Sequence, residues 1–444
     1  MIQSDDTIFA PASGVGRAGV CVIRISGPQT RFAIETICGS VPEARRMSLR
    51  TMRDPENGMI LDHGLVVFFN QSASFTGEDV GEFHIHGSLA IKKALLRVLG
   101  SFENCRSAER GEFTRRAFLN GRMDLAQAEG LMDLIDSETE QQRLQAMMQM
   151  DGVLSKFVGQ WRETLLDALA VVESSLDFSD EEDVDDAIDE RILVSLLSLQ
   201  ETFRECLKNR TGQRMREGFT VVLAGEPNAG KSSLLNVLAN REAAIVSHIA
   251  GTTRDIIEVP CDLDGYPVTF IDTAGLRHTE DDIEREGIRR TYKKISDADL
   301  VLWLVPPDGT WPEKISGIPE ETQIIVRTKQ DLMTDELDSI KQSDISLSCI
   351  TGDGIDSLME LIRIRIENLC SIQEISLTRE RHREVIETAL KYITQAIFLL
   401  QSDDSLEFVA EEIRLASRVL GSLTGAIGVE DVLDRIFSSF CIGK

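Results

Sequence analysis

The sequence is poor in aromatic residues and has no long apolar run. Of its 444 residues, 5% are Phe, Trp or Tyr, and no uninterrupted apolar stretch approaches the roughly 20 residues that cross a bilayer. The first residues lack the basic region and apolar core of a secretory signal. These absences argue against a membrane-spanning helix, and we expect a cytoplasmic protein.

Paired cysteines and an excess of basic residues are also missing. The eight cysteines are scattered, without a C-x-x-C pair or a His/Cys cluster at metal-ligand spacing, so we expect neither a zinc site nor a disulfide framework. Lys and Arg number 47 against 74 Asp and Glu, which gives a net charge of -27. Because affinity for phosphate backbones comes mainly from clustered Lys and Arg, this balance argues against an extended basic surface. A nucleic-acid substrate would need local basic patches or a partner protein.

The length of the chain indicates about two to four domains. Residues 1–120 contain short apolar stretches at 20–25, 64–69 and 80–85, and the last of these alternates apolar and polar residues with a period of two. Such stretches are typical of strands, and one or two helical patterns lie between them. The pattern predicts a compact α+β unit at the N-terminal end.

The remainder of the chain changes its apolar period twice. Residues 121–215 and 377–444 carry apolar side chains at the spacing of amphipathic helices. Residues 216–376 instead alternate apolar strands with polar segments of helix length, which is typical of a parallel sheet covered on both faces. We therefore predict a multidomain α/β plus α protein, in which a doubly wound domain is inserted into a helical domain with its two ends close together.

A glycine-rich loop opens the predicted doubly wound domain. The sequence from Gly225 to Ser232 has the form G-x-x-x-x-G-K-S and lies between an apolar run at 221–224 and a helical pattern at 234–238. In such a loop the backbone N–H groups surround a polyphosphate. Lys231 would reach the terminal phosphates, and the Ser232 hydroxyl would complete a Mg²⁺ shell. The loop predicts a nucleoside triphosphate site.

Two further motifs follow this loop in the order of a switch GTPase. The sequence from Asp272 to Gly275 comes directly after an apolar strand, where a carboxylate can reach a Mg²⁺ water and a glycine N–H can contact the terminal phosphate. The sequence from Gly251 to Asp255 lies between the two and is a candidate first switch, in which one threonine hydroxyl would join the Mg²⁺ shell. The position after Gly275 is Leu276, which cannot orient water as the glutamine of many GTPases does. The acidic segment from Glu280 to Arg285 therefore supplies the candidates for that role.

Base selection is predicted at the end of a later strand. Thr328, Lys329, Gln330 and Asp331 follow the apolar stretch 324–326. The Asp331 carboxylate can accept hydrogen bonds from the N–H groups at both N1 and N2 of guanine, an arrangement that adenine does not offer. Guanine is therefore favoured over adenine. A further loop at Ser348, Cys349 and Ile350 lies where its backbone could touch the base.

Several motifs together give the chain a resemblance to a known family. Besides the nucleotide motifs, the matching segments are residues 16–27, 74–79, 111–120, 123–129 and 440–444. They resemble the tRNA modification GTPase family MnmE, also called TrmE. The resemblance implies an N-terminal α+β domain at 1–120 that binds a tetrahydrofolate derivative and dimerises, a helical domain, and an inserted P-loop G domain that hydrolyses GTP.

The resemblance also implies a reaction and its partners. Members of this family form homodimers that assemble with the flavoprotein MnmG into a heterotetramer. Together they add a carboxymethylaminomethyl or aminomethyl group to carbon 5 of the wobble uridine of certain tRNAs. The one-carbon unit comes from tetrahydrofolate, carried as the 5,10-methylene or the 5-formyl form, and glycine or ammonium provides the nitrogen.

For the folate, the resemblance implies contacts at Arg24, Glu82, Arg122 and Lys444. Arginine and lysine suit the carboxylates of a glutamate tail, and a glutamate suits the N–H donors of a pterin ring. Cys441 lies in the same C-terminal motif. Its thiolate could attack a pyrimidine, or the residue could serve only to position the tail, and the second role is favoured because Lys444 is its one basic neighbour in the sequence.

For the nucleotide, the resemblance implies a K⁺ ion beside Mg²⁺. Its ligands would be Asn228, Ser247, Ile249 and Thr252, while Ser232 and Thr253 would hold Mg²⁺. A monovalent cation there stabilises the charge that develops between the β- and γ-phosphates, as an arginine finger does elsewhere. The candidate catalytic residues are Lys231 and Glu284, the glutamate that would place the attacking water. The candidate GTP contacts are Asn228, Ala229, Gly230, Lys231, Ser232, Ser233, Ser247, His248, Ile249, Ala250, Gly251, Thr252, Thr253, Asp272, Thr273, Ala274, Gly275, Thr328, Lys329, Gln330, Asp331, Ser348, Cys349 and Ile350.

A second class of function stays open at this point. The G domain could be a GTP-dependent switch or assembly factor that acts on RNA without modification chemistry, with the N-terminal unit only as a dimerisation platform. The strong negative charge and the lack of an appended basic RNA module count against that alternative. The folate-like set of Arg24, Glu82 and Arg122 favours the modification enzyme.

Overall fold

The structure is a computed structural model, and it describes residues 6–14, 16–177, 185–241, 258–272, 295–310, 319–332, 343–370, 375–402, 405–426, 433, 436–440 and 443. The chain divides into two compact units, Met1–Met132 with Arg418–Lys444 and Asp133–Ser417. Among the described residues, none of the helices combines the length and the apolar composition that a membrane crossing requires. The domain boundaries at residues 120, 215 and 376 stay a prediction.

A six-stranded sheet forms the centre of the first unit. Its strands are β1 Thr7–Pro11, β2 Ala18–Ser26, β3 Ser48–Arg53, β4 Ile60–Phe69, β5 Val80–Gly87 and β6 Cys105–Ser107. Their spatial order is β3-β4-β5-β2-β1-β6, and each neighbouring pair is antiparallel except β1 with β6. The strands predicted at 20–25, 64–69 and 80–85 are confirmed, because they lie within β2, β4 and β5.

Four helices begin in this part of the chain: α1 Thr30–Cys38, α2 Leu89–Gly100, α3 Glu112–Leu119 and α4 Leu125–Asp136. Side chains of α1 and α2 pack on one face of the sheet, where Ile23 and Phe83 are fully buried. Because successive side chains of a strand point to opposite faces, the neighbouring Arg24 and Glu82 point to the other face. The alternation thus separates an apolar core from a polar surface.

The C-terminal residues of the chain belong to the first unit. Phe437 and Phe440 pack with Leu125 of α4 in an apolar cluster. Gly443 has a φ of 97°, and a Cβ at this position would collide with the carbonyl oxygen of Pro11. The described part of the C-terminal motif therefore lies beside the end of β1, and only glycine fits there without strain.

The described residues of the second unit form helices and a second sheet. Its helices are α5 Glu140–Met150, α6 Val153–Asp177, α7 Asp185–Lys208, α8 Thr211–Glu217, α9 Lys231–Ala239, α10 Ile355–Leu369, α11 Glu380–Gln401 and α12 Leu406–Thr424, the last of which continues into the first unit. Helices α6 and α7 contact each other through the rings of Trp161 and Phe203, which meet edge to face with centroids 5.0 Å apart. Gln200 of α7 donates a hydrogen bond of 2.9 Å to Thr394 of α11. The predicted helical patterns on both sides of the inserted block are confirmed.

A second six-stranded sheet lies between these helices. Its strands are β7 Phe219–Gly225, β8 Glu258–Leu263, β9 Tyr266–Asp272, β10 Leu300–Val305, β11 Gln323–Arg327 and β12 Ile345–Ser346. They lie in the order β12-β11-β10-β7-β9-β8, all parallel except β8. One face packs through Val221 and Leu223 on α9 and α10, and the other packs through Val222 and Ala224. The sheet is buried on both faces, which confirms the predicted doubly wound fold.

The two ends of the inserted block lie close together, as predicted. The Thr211 hydroxyl at the start of α8 donates a hydrogen bond of 3.2 Å to the carbonyl of Leu369 at the end of α10. Both connecting segments are also held by one face of α5, which carries three glutamines at helical spacing. Gln142 and Gln145 donate to the carbonyls of Arg216 (3.2 Å) and Gly212 (2.8 Å), and Gln149 accepts a bond of 2.8 Å from the Thr378 hydroxyl.

Candidate functional site

The phosphate-binding loop connects β7 to α9, at the carboxyl ends of the parallel strands. Three of its residues have positive φ angles: Gly225 with 144°, Asn228 with 65° and Gly230 with 98°. A Cβ at Gly225 would collide with the carbonyl oxygen of Leu304 on the neighbouring strand. The glycines therefore let the loop turn sharply, and α9 begins directly after Gly230 with its N-terminal N–H groups at the loop.

Lys231 is the best-buried charged residue of the loop, with 8% of its surface exposed. Its ammonium donates hydrogen bonds of 2.8 Å to the carbonyl oxygens of Gly225 and Glu226. These bonds hold the ammonium against the curve of the loop that the sequence predicts to bind phosphates. A cation fixed there can offset the charge of a polyphosphate without first losing a large hydration shell.

Two residues predicted at the magnesium site meet in the structure: the ligand Ser232, and Asp272, which would reach a water of the Mg²⁺ shell. The other predicted ligand, Thr253, lies outside the described residues. The Ser232 hydroxyl donates a hydrogen bond of 2.8 Å to the Asp272 carboxylate, and Asp272 is 3% exposed. Ser232 lies in the first turn of α9, while Asp272 ends β9, the strand beside β7. Hydroxyl and carboxylate oxygens are the hard donors that Mg²⁺ prefers, so the residues fit this ion. Ser233, a candidate GTP contact, is exposed.

The base-selecting loop is fixed to the phosphate-binding loop by Thr328. This residue is 1% exposed, and its hydroxyl donates a hydrogen bond of 2.7 Å to the carbonyl of Ala229. Lys329 takes a positive φ of 58°, and the N–H of Gln330 donates a bond of 3.1 Å to the Leu347 carbonyl. Thr328 is thus a tether between two loops, a contact that the sequence pattern does not reveal.

Asp331 is held by the second predicted base loop. The Ser348 hydroxyl donates a hydrogen bond of 2.6 Å to an oxygen of the Asp331 carboxylate, and Ser348 itself is buried. Burial and, second, the nearby Asp331 carboxylate raise the pKa of the Cys349 thiol. Ile350 is 85% exposed at the tip of the loop. The structure therefore brings both predicted base loops together.

Several predicted residues lie outside the described part of the chain. Asn228, Ala229, Gly230, Lys231, Ser232, Ser233, Asp272, Thr328, Lys329, Gln330, Asp331, Ser348, Cys349 and Ile350 are described. The candidates outside the described residues are Ser247, His248, Ile249, Ala250, Gly251, Thr252, Thr253, Thr273, Ala274, Gly275, Glu284, Cys441 and Lys444. Three of the four predicted K⁺ ligands and the predicted catalytic Glu284 are among the latter.

Two of the predicted folate residues meet on the polar face of the first sheet. Arg24 of β2 and Glu82 of β5 are direct cross-strand partners, and their charged groups form an ion pair of 2.9 Å. The Arg24 guanidinium lies 5.8 Å from the ring centroids of both Phe75 and Phe113. Arg24 and Glu82 keep 24% and 17% of their side-chain surface exposed. The pair is therefore fixed in place but accessible to a ligand.

Arg122 lies beside the loop between β4 and β5. Its guanidinium donates a hydrogen bond of 2.6 Å to the carbonyl of Gln71, and a Cβ at Gly77 would come within 3.2 Å of its Nε atom. Phe75, which contacts Arg24, belongs to the same loop. The loop thus connects Arg122 with the pair Arg24 and Glu82, and all three residues lie in the first unit.

A buried group of charges holds the loop between β4 and β5 through Glu78. The Arg116 guanidinium forms ion pairs with Asp6 (2.8 Å), Glu78 (3.1 Å) and Glu112 (3.1 Å). Arg106 binds Glu112 as well, at 2.6 Å. Burial by itself would raise the pKa of the Glu112 carboxyl, but hydrogen bonds from Arg106 and Arg116 hold that pKa below its usual range. The charges therefore compensate one another inside the unit.

His84 also contacts Glu82, although the sequence motifs do not place it in the folate set. Its Nε2 atom lies 3.2 Å from the second oxygen of the Glu82 carboxylate. The signal was present in the period of two, because residues 82 and 84 of one strand share a face. It was too weak to use, since the same spacing places any polar pair on a solvated strand face.

Comparison with known proteins covers almost the whole chain. The family described as "GTP-binding protein TrmE N-terminus" matches residues 7–122, and the family described as "MnmE helical domain" matches residues 125–441. The tRNA modification GTPase MnmE of Methylorubrum populi is 50% identical over 443 residues, with 99% of this chain and 98% of the relative covered. That of Brucella canis is 46% identical over 442 residues, with 99% and 98% covered. Among solved structures, the G domain of the T. maritima FeoB iron transporter is 26% identical over 33% of this chain and 98% of its own, with a TM-score of 0.23.

Proposed function

The chain belongs to the MnmE family of tRNA modification GTPases, and from this premise we propose that K⁺-stimulated GTP hydrolysis drives a modification of tRNA. The modification is the addition of a carboxymethylaminomethyl or aminomethyl group to carbon 5 of the wobble uridine of certain tRNAs. The chain acts as a homodimer together with the flavoprotein MnmG. A tetrahydrofolate derivative bound to the first unit supplies the one-carbon unit.

The observation that carries the GTPase function is the convergence of Lys231, Ser232 and Asp272. A cation and a hydroxyl from the first turn of α9 and a carboxylate from the end of β9 meet at one end of the sheet. Backbone N–H groups of the phosphate-binding loop bind the phosphates, and Lys231 neutralises the terminal ones. Ser232 and Thr253 would hold Mg²⁺ and Asp272 would reach a water of its shell. The ion would offset charge on the β- and γ-phosphates. Asp331 selects guanine through its carboxylate.

The K⁺ stimulation rests on fewer contacts. Asn228 is exposed in the phosphate-binding loop, so its side-chain oxygen is accessible to a cation. Its positive φ of 65° belongs to the turn of the loop. The other proposed ligands are Ser247, Ile249 and Thr252, and Glu284 is proposed to place the attacking water. With Leu276 at the position of the usual glutamine, the chain needs another group for that task.

The folate proposal rests on Arg24 and Glu82. An ionised carboxylate accepts hydrogen bonds only, so Glu82 suits the N–H edge of a pterin. Arg24 and Arg122 suit carboxylates of a glutamate tail, as does Lys444. The ring of Phe75, which is partly exposed beside the Arg24 guanidinium, also offers an apolar surface for a flat ring. Cys441 is proposed to position the C-terminal tail.

The central test is nucleoside analysis of tRNA from cells that lack this protein. We expect the wobble uridine of its target tRNAs to carry no carboxymethylaminomethyl or aminomethyl group. The wild-type chain should restore the group, and the Lys231→Ala variant should not, because the modification needs GTP hydrolysis. Normal modification in cells that lack the protein would contradict the proposal and favour an assembly role.

The cation requirement is tested on the purified protein. GTP turnover is measured in KCl and in NaCl at equal ionic strength, and we expect a clear loss in NaCl. The Glu284→Ala variant should lose turnover while it keeps its affinity for GTP. Equal rates in both salts would remove K⁺ from the mechanism, and a variant that loses GTP binding would remove Glu284 from the catalytic role.

A further inference from the structure

The Glu82 carboxylate is held by two side chains, one on each oxygen. Arg24 donates to Oε1 from Nε (3.1 Å) and from Nη2 (2.9 Å). His84 lies with Nε2 at 3.2 Å from Oε2. A carboxylate that is hydrogen-bonded through both oxygens does not rotate about its Cγ–Cδ bond. Arg24 and His84 together therefore fix the plane of the Glu82 carboxylate.

The place of His84 in the sheet makes this contact a stable one. His84 follows Glu82 by two residues on β5 and so shares its face. Its cross-strand neighbours are Val22 on β2 and Leu65 on β4, and 18% of its side chain is exposed. His86, the next residue on this face, is 69% exposed and bound to Asp62 instead. His84 is thus the histidine of β5 that is packed against the candidate folate site.

The tautomer of the His84 ring follows from its contact with Glu82. Because an ionised carboxylate only accepts hydrogen bonds, the contact requires a proton on Nε2 of the imidazole. A carboxylate offers about four acceptor directions, of which Arg24 uses two and His84 uses one. The remaining direction lies on Oε2, next to the bond from His84. The histidine therefore determines where Glu82 can still accept a hydrogen bond from a ligand.

We propose that His84 is a positioning residue of the folate site, which orients Glu82 for the N–H edge of the pterin ring. The inference deepens the proposed function and rests on it. His84 acts through Glu82, while Arg24 fixes the opposite oxygen. The side chain matters for its N–H donor and not for its ring, so another donor of similar length can replace it.

The experiment measures the affinity of 5-formyl-tetrahydrofolate for the full-length protein by calorimetry. His84→Leu removes the donor while it keeps an apolar side chain of similar bulk, and we expect about a tenfold weaker affinity. His84→Gln places an amide N–H within reach of Oε2 and should stay within about threefold of the wild type. His86→Leu is the matched control on the same strand and should leave the affinity unchanged. GTP turnover should be the same in all four proteins, and the thermal midpoint should show that each variant is folded at the assay temperature.

The outcomes distinguish failure of folate binding from failure of the role of His84. A wild-type chain that does not bind the folate overturns the proposed folate function, and this inference with it. Wild-type binding with an unchanged affinity in His84→Leu overturns the inference alone. The same follows if Gln weakens binding as much as Leu, since that result would make the ring and not the donor the important feature.

Discussion

The two candidate sites are built in opposite ways. The nucleotide site consists of loops at the carboxyl ends of parallel strands, and much of it comes from one stretch of eight residues, Gly225 to Ser232. The folate site consists of side chains on the face of an antiparallel sheet, where Arg24 and Glu82 are separated by 58 residues of sequence. A site made of one loop leaves a motif in the sequence, whereas a site made of cross-strand pairs leaves only isolated charges.

Both units have apolar cores, and the first unit also buries a group of mutually paired charges. The block around β7 is held by an apolar core in which Val221, Leu223 and Phe270 are fully buried. In the first unit, Glu112 and Arg116 are almost as buried but charged, with 2% and 4% exposed. Buried charges are tolerated because each has a partner. The first unit should therefore respond strongly to the loss of one charge of this group.

The largest expected effect comes from removing one of these charges. Glu112→Gln leaves Arg106 and Arg116 with one carboxylate fewer, which should cost about 3 kcal/mol of stability in the first unit. Hydrogen exchange resolves the effect, with faster exchange expected in β1, β2 and α3. All three tryptophans of the chain, Trp161, Trp303 and Trp311, lie in the second unit, so the unfolding transition seen by tryptophan fluorescence should stay in place.

The control for this prediction is a surface ion pair. Glu140→Gln removes the partner of Arg143 on α5, where both side chains are about half exposed, and should leave both units unchanged. Equal protection of the first unit in Glu112→Gln and in the wild type would show that its buried charges are not what holds it together.

A similar effect on activity is expected at the nucleotide site. Lys231→Ala removes the cation beside the terminal phosphates and should lower kcat/KM for GTP on the order of 10²–10³-fold. Binding of 5-formyl-tetrahydrofolate should not change. Glu82→Ala should have the reverse pattern, with weaker folate binding and normal GTP turnover. A variant that weakens both GTP turnover and folate binding would show that the two sites are not independent.

A smaller effect is expected from the tether between the two nucleotide loops. Thr328→Val is close in shape but loses the hydroxyl that binds the Ala229 carbonyl, and a buried unsatisfied group costs about 1–3 kcal/mol. The affinity for GDP should fall by roughly one order of magnitude. Thr328→Ser keeps the hydroxyl and should bind GDP nearly as the wild type does. If Val and Ser variants have equal affinity, the hydroxyl is not the link between the loops.

The smallest expected effect is a loss of stability of the first unit at low pH. The pKa values of Asp6 and Glu112 are held below their usual ranges, since hydrogen bonds from Arg106 and Arg116 outweigh the effect of burial. A lowered pKa in the folded state adds stability above the unfolded pKa, and this stability is lost as the pH falls through the folded pKa. The first unit should therefore lose hydrogen-exchange protection below about pH 4. In Glu112→Gln this loss should be smaller, and an equal loss would exclude Glu112 as its source.

Much of the fold could be predicted because apolar periodicity reports local structure. The strand before the phosphate-binding loop, the helix after it and strand β11 lie where their patterns indicate. The loop itself was predictable because its glycines and its lysine are consecutive. His84 could not be assigned in this way, because its role depends on Glu82 being fixed from the other side by Arg24. The tether from Thr328 to Ala229 spans 99 residues of sequence, and no local pattern encodes such a distance.

The sequence by itself determined the order of elements, the nucleotide chemistry and the polar character of Arg24 and Glu82. Each of these depends on residue type and short-range spacing, which are fixed once the chain is written. Only the tertiary structure decided which polar residues share a carboxylate, which loops are tied together and which charges are buried. Those contacts depend on strand register, because a shift of one residue would turn Glu82 and His84 to the opposite face.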